Sequence, residues 1–208
     1  MMVGKREDAM QFRLMTPEET EYWYAVLMPE AFAANEIKPW DDVVRLLAED
    51  RYEIWGLFEE PSGAPDAGDL PIGFACLWKR AGIPLVLLDY LGVTAAKRNA
   101  GLGAQMLSLL KDQDRPLVME SELPVDGADE AENAIRRRRI AFYERNGFRP
   151  AYEMATCGMR WQALVIGDEP YELTDIMRWH KELYDEKRTD VKVPLGADEV
   201  PELPYWMK

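Results

Sequence analysis

The sequence predicts a mixed α/β (α+β) domain in which helices flank a central sheet of six to seven strands. Three observations predict it. The elements read in the order strand, two helices, three strands, helix, strand, helix, two strands. Residues 85–93, "LVLLDYLGV", are nearly all apolar, as expected of a central strand covered on both faces. Where that strand gives way to a helix, the chain places a turn with two glycines, "KRNAGLG". A dinucleotide-binding domain would put its glycines after the first strand and alternate strands and helices throughout, which this chain does not do.

Each element has its own signal. "AMQFRLM" (9–15) alternates in part and reads as the first strand. Thr16, Pro17, Glu18 and Glu19 supply a cap, a proline at the first helical position and acids in the first turn, and the helix they open runs to Pro29. Val43, Leu46 and Leu47 in "PWDDVVRLLAED" carry the spacing of a second helix. "YEIWGLFEE" (52–60) and "IGFACLWKR" (72–80) read as strands, and the Pro/Gly/Asp-rich 61–71 between them reads as a hairpin connection. A helix over about 103–113 leads to a strand within "RPLVMESEL". The acidic loop that follows becomes a helix opened by Asp129 with Glu132 and stopped by Asn146-Gly147. Two strands are expected within 152–159 and 161–166. "DEPYELTDIMRWHKELYDEK" is an amphipathic helix with a proline-rich tail after it. The expected organisation is therefore one domain over 9–167 and an extension, 168–208, that packs on the sheet edge or makes a homodimer contact.

Composition narrows the function classes. The 208 residues are 48% apolar and 30% charged, with two cysteines and one histidine. No apolar run approaches the roughly eighteen residues that span a bilayer, and "MMVGKREDAMQF" has no apolar signal-peptide core. Cys76 and Cys157 offer neither a disulfide framework nor metal spacing, so a cytoplasmic protein without a metal is the expectation. The net charge of −13 argues against nucleic acid or an anionic membrane as partner and is compatible with a cationic amine.

The glycine turn has a specific chemical use. A helix N-terminus leaves four backbone N–H groups unpartnered and carries about half a positive charge. Glycines before it allow φ > 0 and close approach of a ligand. Arg98, Asn99, Ala100, Gly101, Leu102 and Gly103, with Lys97 adding charge, therefore describe an anion cradle, and a bare tight turn is the alternative. The turn lacks the Gly-Lys-Ser/Thr ending of a nucleotide P-loop.

Taken with its context, the sequence resembles the GCN5-related N-acetyltransferase superfamily. Val93, Arg98, Gly101 and Gly103, followed by Ala104, fill a strand-end R-x-x-G-x-G/A signature, and "FYERNGF" (Phe142, Tyr143, Gly147, Phe148) matches a second family block at a helix end. The resemblance implies acetyl-CoA as co-substrate. Its pyrophosphate would lie on the amides of Arg98 to Ala104, and its pantetheine arm along Leu91, Gly92 and Val93, with Gly92 easing the approach. It also implies Tyr143 as the acid that protonates the coenzyme thiolate and Glu120 as the base that deprotonates the acceptor amine. Asp89, a carboxylate inside an apolar strand, is the other base candidate. Glu122, two residues from Glu120, shares its strand face and is offered beside it as a base; the alternatives are a paired structural acid for Asp89 and solvent exposure for Glu122.

The chain also departs from the family pattern, with Arg136 and Arg139 where many members carry Asn and Ala. A solvated face and a substrate or coenzyme contact are both open for the run from Arg136 to Arg139. Cys157 and His180 are expected to be structural. Trp23, Tyr24 and Trp40 are acceptor-pocket candidates because the first helical region borders the acceptor in the family. The expected activity is direct acetyl transfer to a small-molecule or peptide amine, with a non-catalytic acyl-CoA-binding domain as the alternative.

Overall fold

Strand β1 (Met10–Leu14) pairs antiparallel with β2 (Tyr52–Glu59), β2 with β3 (Gly73–Trp78), and β3 with β4 (Val86–Val93). The computed structural model describes residues 10–59, 70–111, 115–167 and 171–208. The expected hairpin connection at 61–71 lies largely outside them, but the antiparallel pairing of β2 with β3 is that of a hairpin. β5 (Leu117–Glu122) runs parallel to β4, and the crossover that parallel pairing demands contains helix α4 (Leu102–Lys111). β7 (Met159–Ile166) and then the edge strand β6 (Arg149–Thr156) complete a seven-stranded sheet in the order β1-β2-β3-β4-β5-β7-β6.

Both faces of the sheet are covered. On one side α4 buries Leu107 and Leu110 against Ala75, Leu77, Val86 and Leu88, and α5 (Glu130–Arg145) packs its half-buried Ile140 and Phe142 on the same cluster. On the other side lie α1 (Pro17–Tyr22), α2 (Met28–Ala31), α3 (Trp40–Ala48) and α6 (Leu173–Leu183). Their Trp23, Leu27, Val43, Leu46, Ile176 and Leu183 meet Phe74, Cys76, Trp78 and Met154. Each fully buried Leu or Phe contributes about 1.5–3 kcal/mol relative to exposure, so the two layers fix the strands on which the site is built.

Three boundaries differ from the sequence expectation. The first helix opens with the capping box, Thr16 and Glu19 bonding reciprocally at 3.3 and 2.7 Å. It does not stop at Pro29. A π-helical turn, Trp23–Leu27, carries it on to Ala31, because the Met28 N–H reaches back to the Trp23 carbonyl and Pro29 falls in the first turn of α2, where its missing donor is not needed. β6 and β7 join through Cys157 and Gly158, both at positive φ (53° and 77°), so the strand expected over 152–159 ends at Thr156 and starts earlier, at Arg149.

The extension uses both of its parts. Helix α6 packs on the sheet face, while the tail behind it covers the β6 edge. Ala155 and Lys192 exchange backbone bonds at 3.1 and 2.9 Å, and the Leu195 N–H donates to the Glu153 carbonyl at 2.9 Å. The exposed ladder of an edge strand is thereby occupied.

Candidate functional site

β4 and β5 pair only at Val86–Leu117, Leu87–Val118 and Leu88–Met119; past these they part. The cause is a β-bulge. Cys76 faces Tyr90 and Leu77 faces Leu88, which leaves Asp89 as an extra residue on β4. The bulge inverts the alternation, so Leu87 and Tyr90, three apart, share one core, and Leu88 and Leu91 pack on the other face. The parting of the strands opens a cavity of about 810 Å³ that reaches from Arg98 and Gly103 past Asp89 and Glu120 to Tyr184 and Trp206.

The glycine turn stands at one end. Asn99 (φ 65°) and Gly101 (φ 80°) are both left-handed, so Gly101 meets a backbone demand. The Gln105 N–H bonds the Gly101 carbonyl at 3.1 Å as the first turn of α4 closes, which leaves the preceding amides of 101–104 as the unpaired donors of a helix start. Gly103 serves packing, since a Cβ there would stand 3.2 Å from Phe142 Cζ. Gly92 also serves packing and not ligand approach: its Cβ would come within 2.3 Å of Phe74 Cζ on the paired strand. Lys97 is bound to Glu59 and adds no free charge to the turn. Arg98 is exposed, with its guanidinium near the Glu30 and Val93 carbonyls.

Of the ten coenzyme candidates, Leu91, Gly92, Val93, Arg98, Asn99 and Gly103 line the cavity. Ala100 and Gly101 lie exposed on the turn, Ala104 is half-buried, and the Leu102 side chain is buried with Leu57 and Met106. These four can contribute backbone groups only.

The other end holds the titratable groups. Tyr143 lines the cavity from α5, its ring edge-on to Phe142 and Phe148. Burial pushes its phenol up to about 12 against the opposing charge of Arg139, so it remains a proton donor at neutral pH. Glu120 Oε1 accepts the Tyr184 hydroxyl at 2.6 Å and lies 3.0 Å from His180 Nε2. Asp89 Oδ2 accepts the Tyr52 hydroxyl at 2.5 Å and lies 3.4 Å from Lys38 Nζ. The Lys38 ammonium sits over the Trp78 ring, 4.5 Å from its centroid.

Several expectations are corrected here. Glu122 is buried and bound to Arg136 Nε at 2.9 Å, because a carboxylate on a covered strand needs a cation. The arginine run divides: Arg136 serves Glu122, Arg137 turns outward to Glu130, and Arg138 and Arg139 line the cavity. Trp23 is wholly buried in the core, and Tyr24 packs on Trp40 with ring centroids 4.7 Å apart, so none of the three lines the cavity. The loop after α2 does so through Phe32, Asn35, Glu36 and Lys38. Tyr90 pins that loop, donating to the Glu36 carbonyl at 2.7 Å and accepting the Lys38 N–H at 3.0 Å. Burial, reinforced by Glu122, raises the Glu36 carboxyl above the usual range. His180, near the end of α6, is wholly buried and does not line the cavity; Tyr184, just past that helix, does line it, and sequence reasoning passed over it.

No protein-family model matches the chain. Over 83 residues it is 31% identical to YjbC of Bacillus subtilis (strain 168), which carries an acetyltransferase name; the match spans 40% of this chain and 39% of that protein. Among solved structures, a GNAT-family chain from Bacteroides thetaiotaomicron superposes with a TM-score of 0.61 at 23% identity, over 82% of this chain and 94% of that one. Arabidopsis thaliana NAA60, solved with acetyl-CoA, gives 0.56 at 15% identity, over 77% of this chain and 100% of that one. The sheet order, the parting of β4 from β5 and these superpositions agree: the chain has the fold of the GCN5-related N-acetyltransferases.

Proposed function

We propose that the chain is an acetyl-CoA-dependent N-acetyltransferase that passes an acetyl group directly to an amine, a small molecule or a peptide amino terminus. One observation carries this reading: a single cavity joins the unpaired amides at the start of α4 to the Glu120 carboxylate along the stretch of β4 that β5 does not pair. At about 810 Å³ its volume suits a large ligand. In this reading 9–167 is the acetyltransferase domain and 168–208 its extension, of which Tyr184, Arg188 and Trp206 line the cavity.

The coenzyme would supply an activated acyl thioester. The amides of 101–104, with Arg98, would hold its pyrophosphate charge, and the backbone of Leu91, Gly92 and Val93 would pair with its amide-bearing arm. An alkylamine with a pKa of about 10 is almost wholly protonated at pH 7, so the acceptor must lose a proton before its nitrogen can attack. Our candidate to receive it is Glu120, which lines the cavity. Asp89 lines it too, with the Lys38 ammonium 3.4 Å away as its counter-charge, and is the second candidate. Tyr143, a neutral phenol, holds the proton that the departing sulfur must gain.

Melting with and without CoA tests the donor: saturation at about one hundred times Kd stabilises by about 2.7 kcal/mol, and ATP is expected to give no comparable rise. Amine-dependent release of free thiol from acetyl-CoA separates an enzyme from a binding domain. Tyr143→Phe is expected to lower kcat about 10²-fold with little change in KM. Unchanged turnover would remove Tyr143 from the acid role.

A further inference from the structure

We propose that His180 and Tyr184 of the C-terminal extension form a two-donor clamp that orients Glu120, so that the extension is part of the proton-accepting machinery. This rests on the reading of Glu120 as the base. The two donors come to one oxygen: the Tyr184 hydroxyl donates to Oε1 at 2.6 Å and His180 Nε2 stands 3.0 Å from the same atom. Glu120 still lines the cavity, so the second oxygen is the one left for an incoming ammonium.

The polarity of the clamp follows from its surroundings. His180 is completely buried, and its Nδ1 lies 2.8 Å from the Tyr152 hydroxyl. A carboxylate already accepting the Tyr184 proton can only accept from Nε2. A neutral ring must then carry its proton on Nε2 and accept the Tyr152 proton on Nδ1. Burial, with the Glu120 charge added, pushes both phenols upward, so Tyr152 and Tyr184 stay donors. Nε2 has no well-aligned hydrogen bond at rest, although it is buried. A buried N–H in that condition is costly, which favours closing onto Oε1.

The groups that face Glu120 are His180 from α6, Tyr184 just past its end, Tyr152 from β6 and Cys157 from the β6–β7 turn; Asp89 from β4 and Arg188 from the tail act on Tyr184 in turn. Two donors on one oxygen fix the plane of the carboxylate, so removing one should loosen the base and lower kcat.

The chain has one histidine, so nitrogen-15 NMR of the labelled protein reports its ring without assignment and without substrate. The expected result is a proton on Nε2; a ring protonated on Nδ1 alone overturns the clamp. In turnover, Tyr184→Phe and His180→Leu should each lower kcat about tenfold with the KM for acetyl-CoA little changed, since the clamp acts on the base and not on coenzyme binding. His180→Gln, which keeps a donor near the Nε2 position, should restore part of the loss. If Glu120→Gln abolishes turnover while Tyr184→Phe and His180→Leu leave kcat in place, the clamp fails and the base assignment stands. If Glu120→Gln turns over normally, the base assignment fails, and the NMR result still decides the tautomer.

Discussion

The Glu120→Gln variant is expected to lose about 10²–10⁴-fold in kcat/KM at pH 7, the range spanned by a positioned general base. The substitution conserves shape, and the amide oxygen can still meet the Tyr184 hydroxyl and His180 Nε2, so the melting temperature should change little. What the amide cannot do is take a proton. The defect should therefore depend on pH in a definite sense. The neutral fraction of an amine with a pKa of about 10 rises roughly tenfold for each unit between pH 7 and 9. The acceptor then needs the base less, and the ratio of wild-type to variant rates should narrow toward high pH. Tyr143 imposes no opposing limb in this window, since burial keeps its phenol protonated up to about 12. A variant rate equal to wild type at pH 7 would show that the proton leaves by another route.

Much of the fold is legible in the sequence because it rests on local chemistry. The Thr16/Glu19 box, the Asp129 cap and the apolar run on β4 each state one element, and each forms where those residues stand. The glycine turn is legible for the same reason, as positive φ at Gly101 is a backbone demand of its own neighbourhood. The bulge at Asp89 is not. A strand of continuous apolar residues has no alternation to break, so an extra residue leaves no mark on its pattern. Gly92 misleads for a related reason: its partner is Phe74 on the next strand, a contact that exists only once the register is set. The contact between His180 and Glu120 is the clearest loss. As a lone histidine on an amphipathic helix His180 reads as core, and it is core, wholly buried. Its meeting with Glu120 requires a helix sixty residues later to fold back across the sheet, which no local signal announces.

The extension should also contribute heavily to stability, through one buried pair. Asp190 is wholly buried and Arg188 nearly so. Arg188 Nε lies 2.9 Å from Asp190 Oδ1, and the second carboxylate oxygen accepts from Thr156 Oγ1 at 3.0 Å and from the Cys157 N–H at 3.1 Å. The guanidinium is held over the Tyr184 and Trp206 rings, 5.1 and 4.6 Å from their centroids. This network joins the tail to the β6–β7 turn beside the cavity. Asp190→Ala would leave the guanidinium buried without its counter-charge, and removal of one partner of such a pair costs about 3–5 kcal/mol. Urea unfolding at pH 7 should show that loss. Replacing both partners by apolar residues should cost less than the two single changes together, because no unpaired charge then remains. Acid provides the same test without mutation. Burial pushes the Asp190 carboxyl up, but Arg188 and the Cys157 and Thr156 donors outweigh it and hold its pKa below the ordinary 3.8. The stabilisation is thus complete above that value and is lost as the pH falls through the lower folded pKa. A loss below about 1 kcal/mol for Asp190→Ala, the scale of an exposed pair, would mean that the tail is held by its apolar contacts and edge bonds instead. In that case the wall that carries Tyr184 and Arg188 would stay in place without the ion pair.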